Sequence, residues 1–243
     1  MVADSEVETL APGDVRAALA AIERAHQSVT REVQDSRQGG DDADYWQGIL
    51  ETNAAAVIDS LEHVRLADDY AVRYRFFERR ENELRVRPFV ARATTDVTAV
   101  RAALAWHAPP DSGPVDQRLR ANRDADLLYK HFSFADSAIG VFHYWLAMQE
   151  VWASADWVHT RVVTDRQHFA EIVGSADWQI EQEVETHAPL VLRRPEGAHL
   201  AMLLYSPLHR HSIALQQIEI DAGRGIVFAE PITVAAGPRG YIA

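Results

Sequence analysis

Between Tyr70 and Val90 the hydrophobic pattern of the chain changes period, and that change constrains the fold more than any other feature of the sequence. Upstream, apolar residues recur at helical spacing. Leu19, Ile22, Val29 and Val33 form one stripe, which Asp14 is placed to cap after a polar lead-in over residues 1–13. Trp46, Leu50, Val57 and Leu61 form a second stripe, starting near Tyr45. From Tyr70 the period becomes two. Tyr70, Val72, Tyr74 and Phe76 alternate with Ala71, Arg73, Arg75 and Phe77, and Leu84, Val86, Pro88 and Val90 alternate after a turn over residues 80–83. A period of two is the signature of a half-buried strand, so this stretch is expected to be a β-hairpin. Pro88 cannot donate to a ladder, which places its strand at an edge or at a bulge.

Downstream, both periods return. Thr95 and Asp96 open a third expected helix, and a polar, broken helical stretch is expected over residues 115–131. Asp136 or Ser137 caps the most apolar one, where Ile139, Val141, Phe142, Trp145, Leu146, Met148 and Trp152 cover most of the circumference. Thr164 and Gln167 have capping-box spacing before a brief helix ending at Gly174. Strands are expected over 158–163, 180–184, 189–192, 199–205, 213–220 and 226–234, with turns at 194–197 and 221–225. Short connections without a repeating βαβ rhythm favour antiparallel pairing. The expected class is therefore α+β, a mainly antiparallel sheet of N-terminal hairpin and C-terminal meander covered by about five helices. Residues 14–243 are expected to form one such domain, with 107–114 (HAPPDSGP) as a possible subdomain boundary.

Composition narrows the chemistry. The 243 residues contain no cysteine, which excludes a disulfide framework, a thiolate nucleophile and Cys-ligated metal. Asp4, Glu6 and Glu8 stand where a secretory leader would carry basic and then apolar residues, and no apolar run approaches a membrane span of about 20 residues. A cytoplasmic protein without a membrane partner is the expectation. The net charge of −12 argues against nucleic acid as a partner. Lys130 is the single lysine among 24 basic residues, a skew expected of a GC-rich, bacterial-type genome.

The charge is segregated. Residues 1–69 hold 15 acids and 5 bases, whereas residues 70–101 hold 8 arginines and 4 acids. On the hairpin, Arg73, Arg75, Arg85 and Arg87 fall on the face opposite Tyr74 and Val86, and Phe77 and Phe89 share it. Opposed like charges cost up to about 1 kcal/mol a pair unless a counter-charge is near. The planar guanidinium fork suits carboxylate or phosphate. Two accounts follow: the acidic N-terminal helices supply the counter-charge, or the face takes a small anionic ligand or a protein partner. Aromatic and guanidinium groups together are what ligand pockets often present.

Histidines carry the remaining chemistry. His209 and His211 form an H-x-H pair, which on a strand can chelate one metal, and which in a loop is solvated. The stretch resembles part of the first cupin motif, with Gln216 where a glutamate ligand would stand. No histidine follows His211 and only 20 residues follow Gly223, so the barrel and the second motif of that family are not expected here. Asp136, His143 and Glu150 recur at intervals of seven, about 10.5 Å of helix, too far for successive members to share a metal or a proton. His143 alone is either a hydrogen-bonded core residue or an acid–base group facing a cavity. Nucleophile-elbow, phosphate-loop, dinucleotide and H-E-x-x-H motifs are absent, and no residue pattern names a cofactor. The sequence thus favours a cytosolic binding or interaction protein working through its Arg-rich hairpin. The alternative is a small-molecule enzyme using His143, His209 or His211 for proton transfer or metal ligation.

Overall fold

A computed structural model describes residues 6–36, 49–50, 56–78, 84–92, 131–152, 161–174, 177–208 and 210–240. The fold is α+β, and every described strand pair is antiparallel. The chain divides into two compact units. One comprises Met1–Ala18, Ala135–Phe142 and Asp156–Ala243, the other Leu19–Phe134 and His143–Ala155. The proposed boundary at 107–114 lies outside the described residues.

The first unit is built on an eight-stranded sheet. Its strands are β1 (Glu6–Thr9), β7 (Arg161–Val162), β8 (Gln179–Ile180), β9 (Leu190–Arg194), β10 (Gly197–Ser206), β11 (Arg210–Asp221), β12 (Ile226–Phe228) and β13 (Ile232–Arg239). Their order is β1-β9-β10-β11-β13-β8, with β7 added to β10 and β12 to β11. β10 and β11 pair from Gly197↔Asp221 to Ser206↔Ser212, which makes them the spine of the sheet. Burial alternates along β10, where Ala198, Leu200 and Met202 are buried on one face and Leu203 on the other. One core gathers Val163, Leu203, Ile213, Val234 and Ala235 beneath Phe169, Ile172 and Val173 of a helix over Arg166–Val173.

The second unit holds a three-stranded sheet of β2 (Ile49–Leu50), β4 (Tyr70–Glu78) and β5 (Leu84–Arg92), in the order β2-β4-β5. A two-stranded ladder of β3 (Val64–Leu66) and β6 (Phe132–Phe134) lies in the same unit. The hairpin expected at 70–92 is therefore present, and β5, with Pro88, is the edge strand of its sheet among the described residues.

Among the described residues there are three helices of two turns or more, not about five. They are α1 (Pro12–Ser36), α3 (Ala138–Trp152) and α4 (Arg166–Val173), and α2 (Ala56–Asp59) is a single turn. The helices expected from Thr95 and over 115–131 lie outside the described residues. The expected helix from Tyr45 is corrected in part, because Ile49 and Leu50 form β2 instead. Pairing with Arg75 and Tyr74 of β4 gives their backbone groups a ladder that helical spacing could not foresee. Residues 6–9, within the stretch read as a lead-in, pair with β9 as β1.

Local signals explain the helix ends. α1 starts at Pro12, two residues before the expected cap Asp14, because proline suits the first helical position and its missing N–H is no loss there. Val15, Ala18 and Ile22 are its buried stripe. Ser137 caps α3, its Oγ accepting from the Gly140 N–H at 3.1 Å. Val141, Phe142 and Tyr144 through Met148 are all buried, so this helix is apolar all round. The cap of α4 is Asp165 and not Thr164: its carboxylate accepts from the His168 N–H at 2.9 Å. Asp competes effectively for that role because its charge also favours the positive end of the helix.

Candidate functional site

The register of the hairpin places its arginines residue by residue. Arg73 pairs with Phe89, Arg75 with Arg87 and Phe77 with Arg85. Strand alternation therefore sets these six residues on one face, and Ile49 of β2, paired with Arg75, joins them. Tyr74, paired with Pro88 and with Leu50, belongs to the other face.

The histidines are distributed differently. His143 lies on α3 in the second unit and is buried. Its Nδ1 accepts from the backbone N–H of His63 at 3.4 Å, and the two rings lie 5.1 Å apart. Asp136 belongs to the first unit, where its carboxylate meets Nη1 of Arg193 at 3.2 Å. His209 lies outside the described residues. His211 lies on β11, half-buried, with Nδ1 2.8 Å from the phenolic oxygen of Tyr205. Among the described residues no group of three or more His, Cys, Asp or Glu is disposed to hold a metal ion.

Around His211 the sheet assembles a cluster that the sequence did not announce. Tyr205 of β10 pairs with Ile213 of β11, so His211, two residues before Ile213, shares the face of Tyr205. Ile213 pairs with Ala235 of β13 and Ala235 with Ile180 of β8. Continuing that ladder by two residues sets Trp178 and Gly237 on the same face. A Cβ on Gly237 would lie 2.7 Å from Cε2 of Trp178, so the missing side chain is what lets the indole lie against the strand. The Trp178 ring centroid is 6.3 Å from those of Tyr205 and His211, which are 5.8 Å from each other. Arg161 of β7 pairs with Tyr205 from the other side. The proximity of Trp178 to His211 depends on a register that skips a residue between Arg210 and Ser212.

A polar network closes the other end of α4. Asp165 Oδ2 accepts from Thr164 Oγ1 at 3.0 Å and from Arg16 at 2.5 Å, and the backbone N–H of Thr164 donates to Nδ1 of His168 at 3.3 Å. The His168 N–H, chiefly, holds the Asp165 carboxyl below its ordinary value, with Thr164 and Arg16 adding to the effect. His187 meets Phe169 edge-on at 4.6 Å, and burial first, then the charge of Arg166, lowers its pKa.

Comparison with protein-family models, with curated proteins and with solved structures returns no significant match. What the fold defines is a mixed α+β protein with an antiparallel sheet. Among the described residues no helix is long and apolar enough to cross a membrane.

Proposed function

We propose that the protein is a cytosolic binding protein that takes an anionic ligand or partner segment on the Arg-rich face of the β4–β5 hairpin. The observation that carries this reading is the pairing of Arg75 with Arg87, flanked by Arg73↔Phe89 and Phe77↔Arg85. Directly opposed like charges cost stability unless an anion lies near them. Four guanidinium groups with two phenyl rings offer bidentate contacts together with apolar area.

Titration calorimetry with inorganic tripolyphosphate at low salt tests it. Saturable binding is expected, falling as ionic strength rises, and lost in the Arg75→Gln/Arg87→Gln variant while thermal stability holds or improves. If that variant loses stability and the tripolyphosphate response is unchanged, the arginines serve an internal counter-charge and the reading fails.

A further inference from the structure

We propose that the Trp178–Tyr205–His211 corner of the eight-stranded sheet is a separate binding site for a small aromatic anion, a ring bearing a phosphate or carboxylate. It lies in the first unit and does not depend on the hairpin reading.

Three features of the corner point to this chemistry. All three residues are half-buried. Their rings are mutually tilted, by 46°, 79° and 55°, so they wall a corner instead of stacking into one another. Trp178 laid over Gly237 supplies an apolar plane of the kind on which a planar ligand packs.

The second feature is a polar group aimed by its partner. When the Tyr205 hydroxyl donates to Nδ1 of His211, the imidazole proton resides on Nε2. A protonated ring also carries a proton there, and only the neutral tautomer with its proton on Nδ1, donating to the phenolic oxygen, leaves Nε2 an acceptor. Among the described residues Nε2 makes no hydrogen bond.

The third feature is charge. Arg161 stands beside Tyr205 on the same face and is exposed, and its side chain makes no hydrogen bond or ion pair among the described residues. Arg210, whose Nε donates to the Gly237 carbonyl at 2.8 Å, and its register partner Arg239 lie at the same end of the sheet. Arg161 beside Tyr205, with Arg210 and Arg239 at the same end of the sheet, favours an anion locally in a chain of net charge −12. A guanidinium binds a phosphate or carboxylate in bidentate fashion, while the Nε2 donor reads a further oxygen.

Phenyl phosphate is the probe, with inorganic phosphate and cyclohexyl phosphate as controls, each titrated calorimetrically into the full chain. Phenyl phosphate is expected to bind with a Kd of about 1 mM or tighter, and both controls roughly tenfold more weakly. Arg161→Gln and Tyr205→Phe are each expected to weaken phenyl phosphate by roughly tenfold, the scale of one lost charge-assisted contact or one misdirected donor. Arg75→Gln/Arg87→Gln is expected to leave it unchanged, which separates this site from the hairpin. The proposal is overturned if phenyl phosphate gives no saturable binding up to about 10 mM, or binds no better than inorganic phosphate. Unaltered affinity in Arg161→Gln, or loss in the hairpin variant, overturns it equally. Should Tyr205→Phe fail to fold, the exposed Arg161 still decides the matter.

Discussion

Nη1 of Arg16 lies 2.5 Å from Oδ2 of Asp165, which ties the beginning of α1 to the cap of α4 across 149 residues of sequence. The same carboxylate accepts from the His168 N–H and from Thr164 Oγ1, so its two oxygens serve three donors. Removing it leaves an N-terminal helical N–H and a buried threonine hydroxyl to find other partners.

Asp165→Ala is accordingly expected to destabilise the protein by about 1 kcal/mol, and Asp165→Asn by less, since an amide oxygen still caps. The pH dependence follows from the lowered pKa. A carboxyl that ionises more readily in the fold than in the unfolded chain contributes stability above its ordinary value of 3.8, and that contribution is lost as pH falls through the lower folded value. Urea unfolding at pH 7 and in steps below pH 4 reads this, and the wild-type and Asp165→Asn curves should converge at the acid end.

Gly140 is buried in the first turn of α3, where an added Cβ would fall 2.0 Å from the carbonyl oxygen of Ala135. The obstacle is backbone, so it cannot rotate away. Gly140→Ala is expected to cost about 2 kcal/mol despite the better helix propensity of alanine, because overpacking outweighs a gain of about 1 kcal/mol. Thermal unfolding decides it, and an unchanged or raised Tm would show that the segment before α3 yields freely.

His187 has a lowered pKa, from burial first and from Arg166 second. For a base the sign is the reverse of the raised case: the unfolded chain binds the proton more readily than the fold. Its neutral form is therefore favoured by folding, and stability declines as pH drops below about 6.5 toward the folded value. His187→Gln is expected to flatten stability between pH 7.5 and 5.5 relative to wild type, read by chemical unfolding. An identical slope in both proteins would assign that pH dependence to other groups.

How far the fold was legible depends on which forces set each element. The Tyr70–Val90 alternation named the hairpin because one face of a sheet forces a period of two, and β10 and β11 cover the strands expected over 199–205 and 213–220 between turn residues. The all-apolar circumference of α3 was equally plain. The pairing of Ile49 and Leu50 with β4 was not, because two residues carry no period and their ladder depends on a partner about 25 residues away. β3 and β6 were hidden for the same reason, being three residues each and separated by more than 60. The shift of the cap from Thr164 to Asp165 turned on one residue, where two good capping side chains compete.

The site was legible only in part. The sequence singled out His211 together with His209, which lies outside the described residues, and did not foresee the hydrogen bond of His211 to Tyr205. Tyr205 and Trp178 come together with it through three strand pairings and an irregular register, and no local spacing encodes that sum. The Arg face differs, since its six residues share a side by alternation alone.

Gly237 supplies the sharpest test of that corner. Its missing side chain is filled by the Trp178 ring, whose Cε2, Cζ2 and Cδ2 would stand 2.7, 2.8 and 2.9 Å from an added Cβ. An indole is rigid and broad, so it has to tilt or withdraw as a whole, losing contact with the core it shares with Tyr205. Gly237→Ala is therefore expected to cost about 1–3 kcal/mol, more than a surface-strand alanine substitution ordinarily does. Trp178→Ala/Gly237→Ala should recover part of the loss relative to the sum of the two single changes, because the clash has no partner once the ring is gone. The measurement is a double-mutant cycle by urea unfolding. A coupling near zero would mean that the strand absorbs the Cβ without moving Trp178, and that the corner is not shaped by this glycine.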